Sequence, residues 1–194
     1  MSYHEHRQDY ECKCAHENKT AHVGSPAPTF DVTAIEGSGK HFTRIKLSDY
    51  KGKWVILFFY PLDFTFICPT EIEGFSERYD EFTKLNAVVF GASTDSVHSH
   101  KVWIESKLGK LKYPLLADMT HEMSKNYGVL LKAEGIALRG AFIIDPDGIL
   151  QYSVISSNNV GRNVDEILRV LQALQTGELC QIGWKPGEKT LGKT

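Results

Sequence analysis

The stretch "WVILFFYPLDFTFICPTEI", residues 54–72, joins a continuous apolar run to a single cysteine that is followed by a proline. The run 54–60 lies between a glycine and a proline, and its length and composition predict a buried central strand. From Pro69 onward the apolar residues fall at helical spacing, and proline is favoured in the first turn of a helix. The stretch therefore predicts a strand that leads into a helix, with Cys68 at or beside the first helical turn.

Strand and helix patterns alternate along the rest of the chain. Strand patterns cover 30–34 and 87–94, the segment 113–118 is a short strand or an extended turn, and helix patterns cover 96–109, 120–129 and 163–177. The clearest hairpin covers 140–156, where two β-rich runs flank the turn sequence "DPDG". This order predicts an α/β domain and is compatible with a thioredoxin-like fold, a central mixed sheet flanked by helices.

Helix ends and domain limits can also be predicted from the sequence. Thr120 is predicted to cap the helix 120–129, Asn163 to cap the helix 163–177, and Gly177 to end it. Residues 1–22 are polar and histidine-rich without apolar periodicity, which predicts a flexible N-terminal arm. The expected organisation is this arm, a domain over 23–177, and a glycine- and lysine-containing tail over 178–194.

Length and charge exclude several classes of function. A chain of 194 residues with 42% apolar and 24% charged residues is typical of one globular domain. The net charge of −2 provides no basic field that would attract nucleic acid or an anionic membrane. No apolar run approaches the roughly 20 residues of a membrane span, and the N-terminus lacks the apolar segment of a secretory signal. We expect a soluble cytoplasmic protein.

The chain contains four cysteines, Cys12, Cys14, Cys68 and Cys180. Four are too few for a disulfide scaffold in a chain of this length, and cysteines that pair in a reducing compartment usually do so transiently. No CxxC motif is present, which argues against a zinc ribbon and against a thioredoxin-type dithiol. Cys68, at the strand–helix junction, is therefore the cysteine to explain.

A cysteine at the beginning of a helix is either a buried structural thiol or a nucleophile. The thiolate is the reactive form, and a helix N-terminus or a nearby cation favours it. The sequence supplies the helix end but does not show which cation comes near Cys68. The residues alone leave both interpretations open.

Four segments of the chain resemble one known family. "PLDFTFICPTEI" is similar to the PxxxTxxC motif of the peroxiredoxins, with Pro61, Thr65 and Cys68 in register. "RGAFIIDPDG", "NNVGRNVDEIL" and "GELCQIGWKPG" resemble successive blocks of the typical 2-Cys class, in the same order. The resemblance covers roughly residues 23–188 and implies a thioredoxin-like fold with peroxiredoxin-type extensions and a C-terminal tail.

The resemblance implies a role for each matched residue of the site. Cys68 would be the peroxidatic thiolate, which attacks a peroxide oxygen and becomes a sulfenic acid. Thr65 would hold the peroxide and the thiolate through its hydroxyl, and Pro61 would shield the pocket from water. Arg139 would stabilise the thiolate and the negative charge that develops on the oxygens. Such chemistry needs fixed positive charge and hydrogen-bond donors, and no metal or bound cofactor.

The resemblance also implies the supporting residues and the partners. Glu71 and Arg162 match the acid and the second arginine that position Arg139. Cys180 would be the resolving thiol, forming a disulfide with Cys68 of a neighbouring subunit in a homodimer, and such dimers often assemble into ring decamers. Thioredoxin or a flavoprotein disulfide reductase would reduce this disulfide. The expected activity is reduction of hydrogen peroxide and organic hydroperoxides, in antioxidant defence and redox homeostasis.

Two departures from the family pattern concern the resolving step. The block around Cys180 reads "CQIGW" where the family usually has Cys-Pro-Ala-Gly-Trp. The chain also has "ESKLGKLKYPLL" in place of a Gly-Gly-Leu-Gly segment, and it ends "EKTLGKT" without the Tyr-Phe pair of peroxide-sensitive members. These features predict an enzyme that resists over-oxidation.

The N-terminal arm and the activity each leave alternatives open. Cys12 and Cys14, with His4, His6, His16 and His22 around them, are a candidate transition-metal or zinc site, a redox relay, or incidental thiols of a disordered arm. An alternative activity on the same fold is a thiol–disulfide oxidoreductase, which would want a CxxC motif. A further alternative is a peroxide-triggered holdase chaperone or redox-signalling adaptor.

Overall fold

The computed structural model describes residues 20–193, and its centre is a mixed sheet of seven strands in the order β2-β1-β5-β4-β3-β8-β9. The strands of the sheet are β1 (Asp31–Ile35), β2 (Phe42–Lys46), β3 (Trp54–Phe59), β4 (Ala87–Ser93), β5 (Leu115–Ala117), β8 (Arg139–Ile144) and β9 (Leu150–Ser156). A separate pair contains β6 (Leu130–Leu131) and β7 (Ile136–Ala137). The α-helices are α1 (Cys68–Glu77), α2 (Tyr79–Lys84), α3 (Val97–Trp103), α4 (Glu122–Asn126) and α5 (Val164–Thr176). The α/β fold predicted from the pattern is confirmed.

Strand β3 is the buried strand that the run 54–60 predicts. It pairs in parallel with β4 and antiparallel with β8, so Leu57 lies between Phe90 and Phe142. Ile56 and Phe58 pack into one apolar cluster, whereas the alternate residues of the strand pack into a second cluster on the other face. Because both faces of the sheet are covered, the strand is apolar at every position and shows no alternation.

The helical pattern that begins at Pro69 forms two helices instead of one. Helix α1 ends at Glu77 and α2 begins at Tyr79, with Arg78 between them at φ −88° and ψ 3°. Ile72, Phe75 and Phe82 are nevertheless all buried in the same cluster, so the periodicity identified the correct face. The pattern 96–109 also forms two elements, the helix α3 and a π-helical turn over Ile104–Leu108 that directly follows it.

One predicted helix cap is wrong and one is confirmed. Thr120 does not cap α4, which begins at Glu122; the buried Asp118 carboxylate accepts hydrogen bonds from the backbone N–H of Met123 at 3.0 Å and Ser124 at 2.7 Å. An acid four residues before the helix thus satisfies its free N–H groups, which local spacing did not indicate. Asn163 caps α5: its side-chain oxygen accepts hydrogen bonds from the backbone N–H groups of Asp165 at 2.8 Å and Glu166 at 3.3 Å.

The remaining predicted elements agree with the structure. Strands β8 and β9 form the antiparallel hairpin around the "DPDG" turn, with a register irregularity between Ile143 and Ile144. Gly177 ends α5 in the left-handed conformation at φ 63°, which a residue with a Cβ adopts only at a cost. No helix within residues 20–193 has the length and apolar character that crossing a membrane requires.

The segment after α5 folds back on itself without forming a helix or strand. The backbone of Leu179 pairs with Leu191 and Gly192 at 2.7 and 2.8 Å, and Trp184 is buried with its indole N–H donating to the Glu188 carbonyl at 3.1 Å. The Arg169 side chain of α5 donates to the Trp184 carbonyl at 3.0 Å, so the segment is tied to the helix. The division of the chain into arm, domain and tail stays a prediction.

Candidate active site

Cys68 is the first residue of α1 and lies directly behind the loop 60–67, which follows β3. Its side chain is fully buried. Pro69 occupies the second position of the helix, where the missing N–H costs no helical hydrogen bond. The N-terminal end of a helix carries partial positive charge, so this position favours an anion at the sulfur.

The cation beside this sulfur is Arg139, the residue that the family resemblance implies. Arg139 is the first residue of β8, and its Nη1 donates a hydrogen bond to Cys68 Sγ at 3.4 Å across 71 residues of sequence. The contact follows from topology, since β8 runs antiparallel to β3 and therefore begins near the end where β3 delivers the chain to α1. The guanidinium is buried and aimed at the sulfur.

Glu71 connects Arg139 to a second arginine. Glu71 lies one helical turn after Cys68. Its carboxylate accepts hydrogen bonds from Arg139 Nη1 at 2.5 Å and from Arg162 Nε and Nη2 at 2.8 and 2.9 Å. The backbone N–H of Arg162 also donates to Glu71 at 2.8 Å, and Arg139 Nε donates to the Asn158 carbonyl at 3.0 Å. These bonds hold the plane of the Arg139 guanidinium on two sides.

The charges of this cluster do not cancel. The side chains of Glu71, Arg139 and Arg162 are exposed by only 2, 3 and 2% of their areas. Burial alone would raise the pKa of Glu71, but the hydrogen bonds and charge of Arg162, with the charge of Arg139, hold that pKa below its ordinary value. Glu71 is therefore ionised, and one excess positive charge remains in a site that is shielded from solvent. A thiolate at Cys68 would balance it.

The other two motif residues lie in the loop before the helix. Pro61 is buried at the beginning of this loop and Thr65 is half-buried near its end. The Thr65 hydroxyl donates to the Leu62 carbonyl at 3.0 Å, within the loop. Among residues 20–193 no hydrogen bond joins Thr65 to Cys68, so the contact with the thiolate that the resemblance implies is not part of this arrangement.

Cys180 is half-buried against the last turn of α5 and has a different environment. Its Sγ lies 3.6 Å from Thr176 Oγ1 and 3.9 Å from the Ala173 carbonyl oxygen, at a helix end that carries partial negative charge. It opens into a cavity of about 420 Å³ that Arg169, Leu174 and Ile182 also line. Cys68 and Cys180 are both free thiols. Cys12 and Cys14 lie outside the described residues.

Sequence reasoning missed Asn158, which holds Arg139 through a backbone carbonyl. A carbonyl carries no side-chain signal, so only the path of the loop after β9 could identify it. The structure therefore brings Cys68, Glu71, Arg139 and Arg162 together in one buried site, while Cys180 occupies a separate cavity in the same chain. The site can stabilise a sulfur anion, and the same negative charge when it moves to an atom bound next to the sulfur.

Comparisons with known proteins show which family the chain is similar to. Residues 23–153 match the model of the AhpC/TSA family. The chain is 54% identical over 180 residues to Peroxiredoxin-2 of Bos taurus, covering 88% of this chain and 89% of that protein. It is 53% identical over 179 residues to the chloroplastic 2-Cys peroxiredoxin BAS1 of Hordeum vulgare, covering 87% and 84%. The crystal structure of reduced Plasmodium vivax 2-Cys peroxiredoxin superimposes with a TM-score of 0.83 at 37% identity, covering 86% of this chain and 91% of that one.

Proposed function

The chain belongs to the AhpC/TSA family and is a thiol peroxidase of the peroxiredoxin type, and from this premise we propose how its own residues carry out the reaction. The proposal is that Cys68 reduces hydrogen peroxide and organic hydroperoxides. The observation that carries it is the Arg139 guanidinium, held 3.4 Å from the Cys68 sulfur in a buried cluster with one excess positive charge.

In the first step the Cys68 thiolate attacks one oxygen of the peroxide. A sulfur–oxygen bond forms, the oxygen–oxygen bond breaks, and the leaving oxygen takes up a proton to give water or an alcohol. Sulfur is oxidised to the sulfenic acid as the peroxide is reduced. Negative charge moves from sulfur to the leaving oxygen, and a fixed guanidinium at Arg139 stabilises it at both ends of the displacement. Thr65 orients the peroxide, and Pro61 excludes water from the pocket.

In the second step the Cys180 thiol attacks the sulfenic sulfur of Cys68. The disulfide forms, the sulfenic oxygen leaves as water, and an external dithiol then reduces the disulfide. A disulfide requires Cα atoms within about 7 Å, and Cys68 begins with its side chain fully buried. The first turn of α1 must therefore unwind. Within the part of the chain that the structure describes, no side chain caps the beginning of this helix, which supports the movement.

The second thiol comes from a neighbouring copy in this proposal. Strand β9 is at the edge of the sheet, where its backbone can pair with another chain, and Ile155 on it is exposed. We propose a homodimer with two such disulfides, assembling further into a ring decamer. The reductant is thioredoxin or a flavoprotein disulfide reductase, and the cytoplasmic location expected from the sequence stays a prediction.

The test is stopped-flow oxidation of the reduced protein by hydrogen peroxide, followed by non-reducing mass analysis of the linked peptides. Fast oxidation that ends in a Cys68–Cys180 disulfide supports the proposal. A disulfide confined to Cys12 and Cys14, or oxidation that leaves Cys68 unmodified, would refute it.

Replacement of Cys180 by serine should leave one fast turnover and prevent recycling by thioredoxin. The Cys68 site retains its charges in this variant, so the sulfenic acid forms at the wild-type rate but finds no resolving thiol. A burst of about one peroxide per subunit, followed by no steady-state consumption, is the expected time course. Sustained turnover with thioredoxin would assign the resolving role to another thiol.

The protein should also resist inactivation by excess peroxide. The tail after α5 contains no helix in the described residues, and the π-helical turn Ile104–Leu108 ends before Gly109. We expect the first turn of α1 to unwind without obstruction, so Cys180 captures the sulfenic acid before a second peroxide does. The measurement is the fraction of Cys68 sulfinic acid after turnover at increasing peroxide. Extensive sulfinic acid at modest peroxide excess would contradict this expectation.

A further inference from the structure

A second polar cluster contains Tyr60 and Asp63 of the loop 60–67. No hydrogen bond in the described residues connects it to Pro61, Thr65 or Cys68. Asp63 Oδ1 accepts from the Tyr60 hydroxyl at 3.0 Å, and Asp63 Oδ2 accepts from the Ser99 hydroxyl at 2.7 Å and faces His100 Nδ1 at 2.8 Å. The other ring nitrogen of His100 lies 3.2 Å from the Leu116 carbonyl oxygen. Thus the carboxylate is joined to Tyr60, the residue directly after β3, to α3 and, through His100, to β5.

Three groups of this cluster, Tyr60, Asp63 and His100, are buried, and Ser99 is half-buried. Asp63 is exposed by 7% of its area and His100 by 0%, a position at which an unpaired carboxylate would be costly. Burial, together with the charge of Asp63, raises the pKa of Tyr60 well above 10, so its hydroxyl remains a donor to the carboxylate. Such a network costs desolvation and is retained where a fixed geometry is needed.

The loop above this cluster is held at a second point and contains backbone strain. The Asp63 N–H donates to Asp95 Oδ2 at 2.9 Å, and the Ser93 hydroxyl donates to the same oxygen at 2.8 Å. Phe64 adopts the left-handed conformation at φ 57°, and its ring packs on Trp103 with centroids 5.7 Å apart. A bulky residue persists in this conformation only where the surrounding contacts enforce it.

Asp63 lies two residues after Pro61 and two residues before Thr65, so its anchorage fixes both. We propose that Asp63 is a positioning residue of the peroxidase reaction: held by Tyr60, Ser99 and His100, it places the loop that carries Pro61 and Thr65 above the Cys68 sulfur. The inference rests on the proposed function and names how the peroxide-facing half of the site is built.

The two halves of the site are anchored independently. Arg139 and Glu71 are fixed by β8, α1 and Arg162, and none of their hydrogen bonds in the described residues involves Asp63. Loss of the Asp63 anchor should therefore misplace the peroxide without removing the positive charge beside Cys68. A displacement of about 1 Å in a reacting geometry can cost about 100-fold in rate.

This separation gives a test that a purely structural role would not pass. In Asp63→Ala, the rate constant for hydrogen peroxide should fall about 10- to 100-fold, whereas alkylation of Cys68 by iodoacetamide, which needs the thiolate but not an oriented peroxide, should stay within about twofold. Asp63→Asn, which retains the size and one acceptor oxygen, should give an intermediate peroxide rate. Both reactions are measured on the reduced full-length protein with Cys180→Ser as the common background.

Asp147→Ala is the matched control, since Asp147 lies exposed in the β8–β9 turn, and it should change neither rate. If Asp63→Ala does not fold, the inference is tested with Asp63→Asn and Ser99→Ala, by the same comparison of the rate of peroxide reduction with the rate of alkylation. Equal losses in peroxide reduction and alkylation, or a peroxide rate within about twofold of wild type, would overturn the inference. If the parent protein itself does not reduce peroxide, the proposed function fails instead, and the two failures are distinguishable.

Discussion

Replacement of Cys68 by serine is expected to abolish peroxide consumption. A serine hydroxyl is not ionised at neutral pH and cannot take up a peroxide oxygen, so the site loses its nucleophile while Arg139 and Glu71 remain. We expect the rate constant for hydrogen peroxide to fall by ~10³-fold or more, to that of the uncatalysed reaction. Because the fold and the buried ion pairs are retained, thermal unfolding should change little.

The measurement is peroxide consumption with a dithiol reductant in stopped flow. Cys180→Ser is the matched control, since it retains the first turnover. Sustained consumption by Cys68→Ser would contradict the assignment and transfer the reaction to another thiol. The same variant distinguishes the peroxidase from the alternative of a holdase chaperone. If Cys68→Ser still protects a denatured client protein from aggregation, that protection does not depend on peroxidase chemistry.

Replacement of Glu71 by glutamine should damage both stability and activity. The substitution leaves two buried guanidinium groups, Arg139 and Arg162, without the carboxylate that joins them. Removing one partner of a buried ion pair typically costs about 3–5 kcal/mol of the free energy of unfolding. The peroxide rate constant should also fall about 10- to 100-fold, because Arg139 loses its shortest contact and turns away from Cys68.

Glu73→Gln is the control, since this residue is exposed on the same helix and should change neither quantity. Urea unfolding measures the stability, and single-turnover oxidation measures the rate. A fully active Glu71→Gln protein would show that Arg139 does not need this carboxylate.

The stability effect of Glu71 should depend on pH in a defined direction. Its pKa is lowered in the folded protein relative to the ordinary value of 4.5, so its contribution is fully present above that value and is lost as the pH falls through the lowered folded value. The difference in unfolding free energy between wild type and Glu71→Gln should therefore be largest at neutral pH and shrink below pH 4.5. A constant difference from pH 7 to pH 3 would contradict this interpretation.

Much of the fold was predictable because its signals are local. The unbroken apolar run of β3, the "DPDG" hairpin and the capped pattern of α5 each carry periodicity and turn chemistry within a few residues. The position of Cys68 at the beginning of α1 followed from the same signals. The cap at Thr120 was predicted by this logic and was wrong, because the carboxylate of Asp118 reaches the helix from a buried position outside the local pattern.

Sequence by itself determined the strand, the helix and the thiol between them, since these depend on propensity and on the spacing of apolar residues. Only the tertiary structure decided what surrounds that thiol. Arg139 reaches Cys68 because β8 returns antiparallel beside β3, and Asp63 meets His100 because α3, which packs against β1 and β5, lies next to the loop that follows β3. Charges interact through space and not along the chain, so the positive charge beside Cys68 is established only when the strands and helices have packed together.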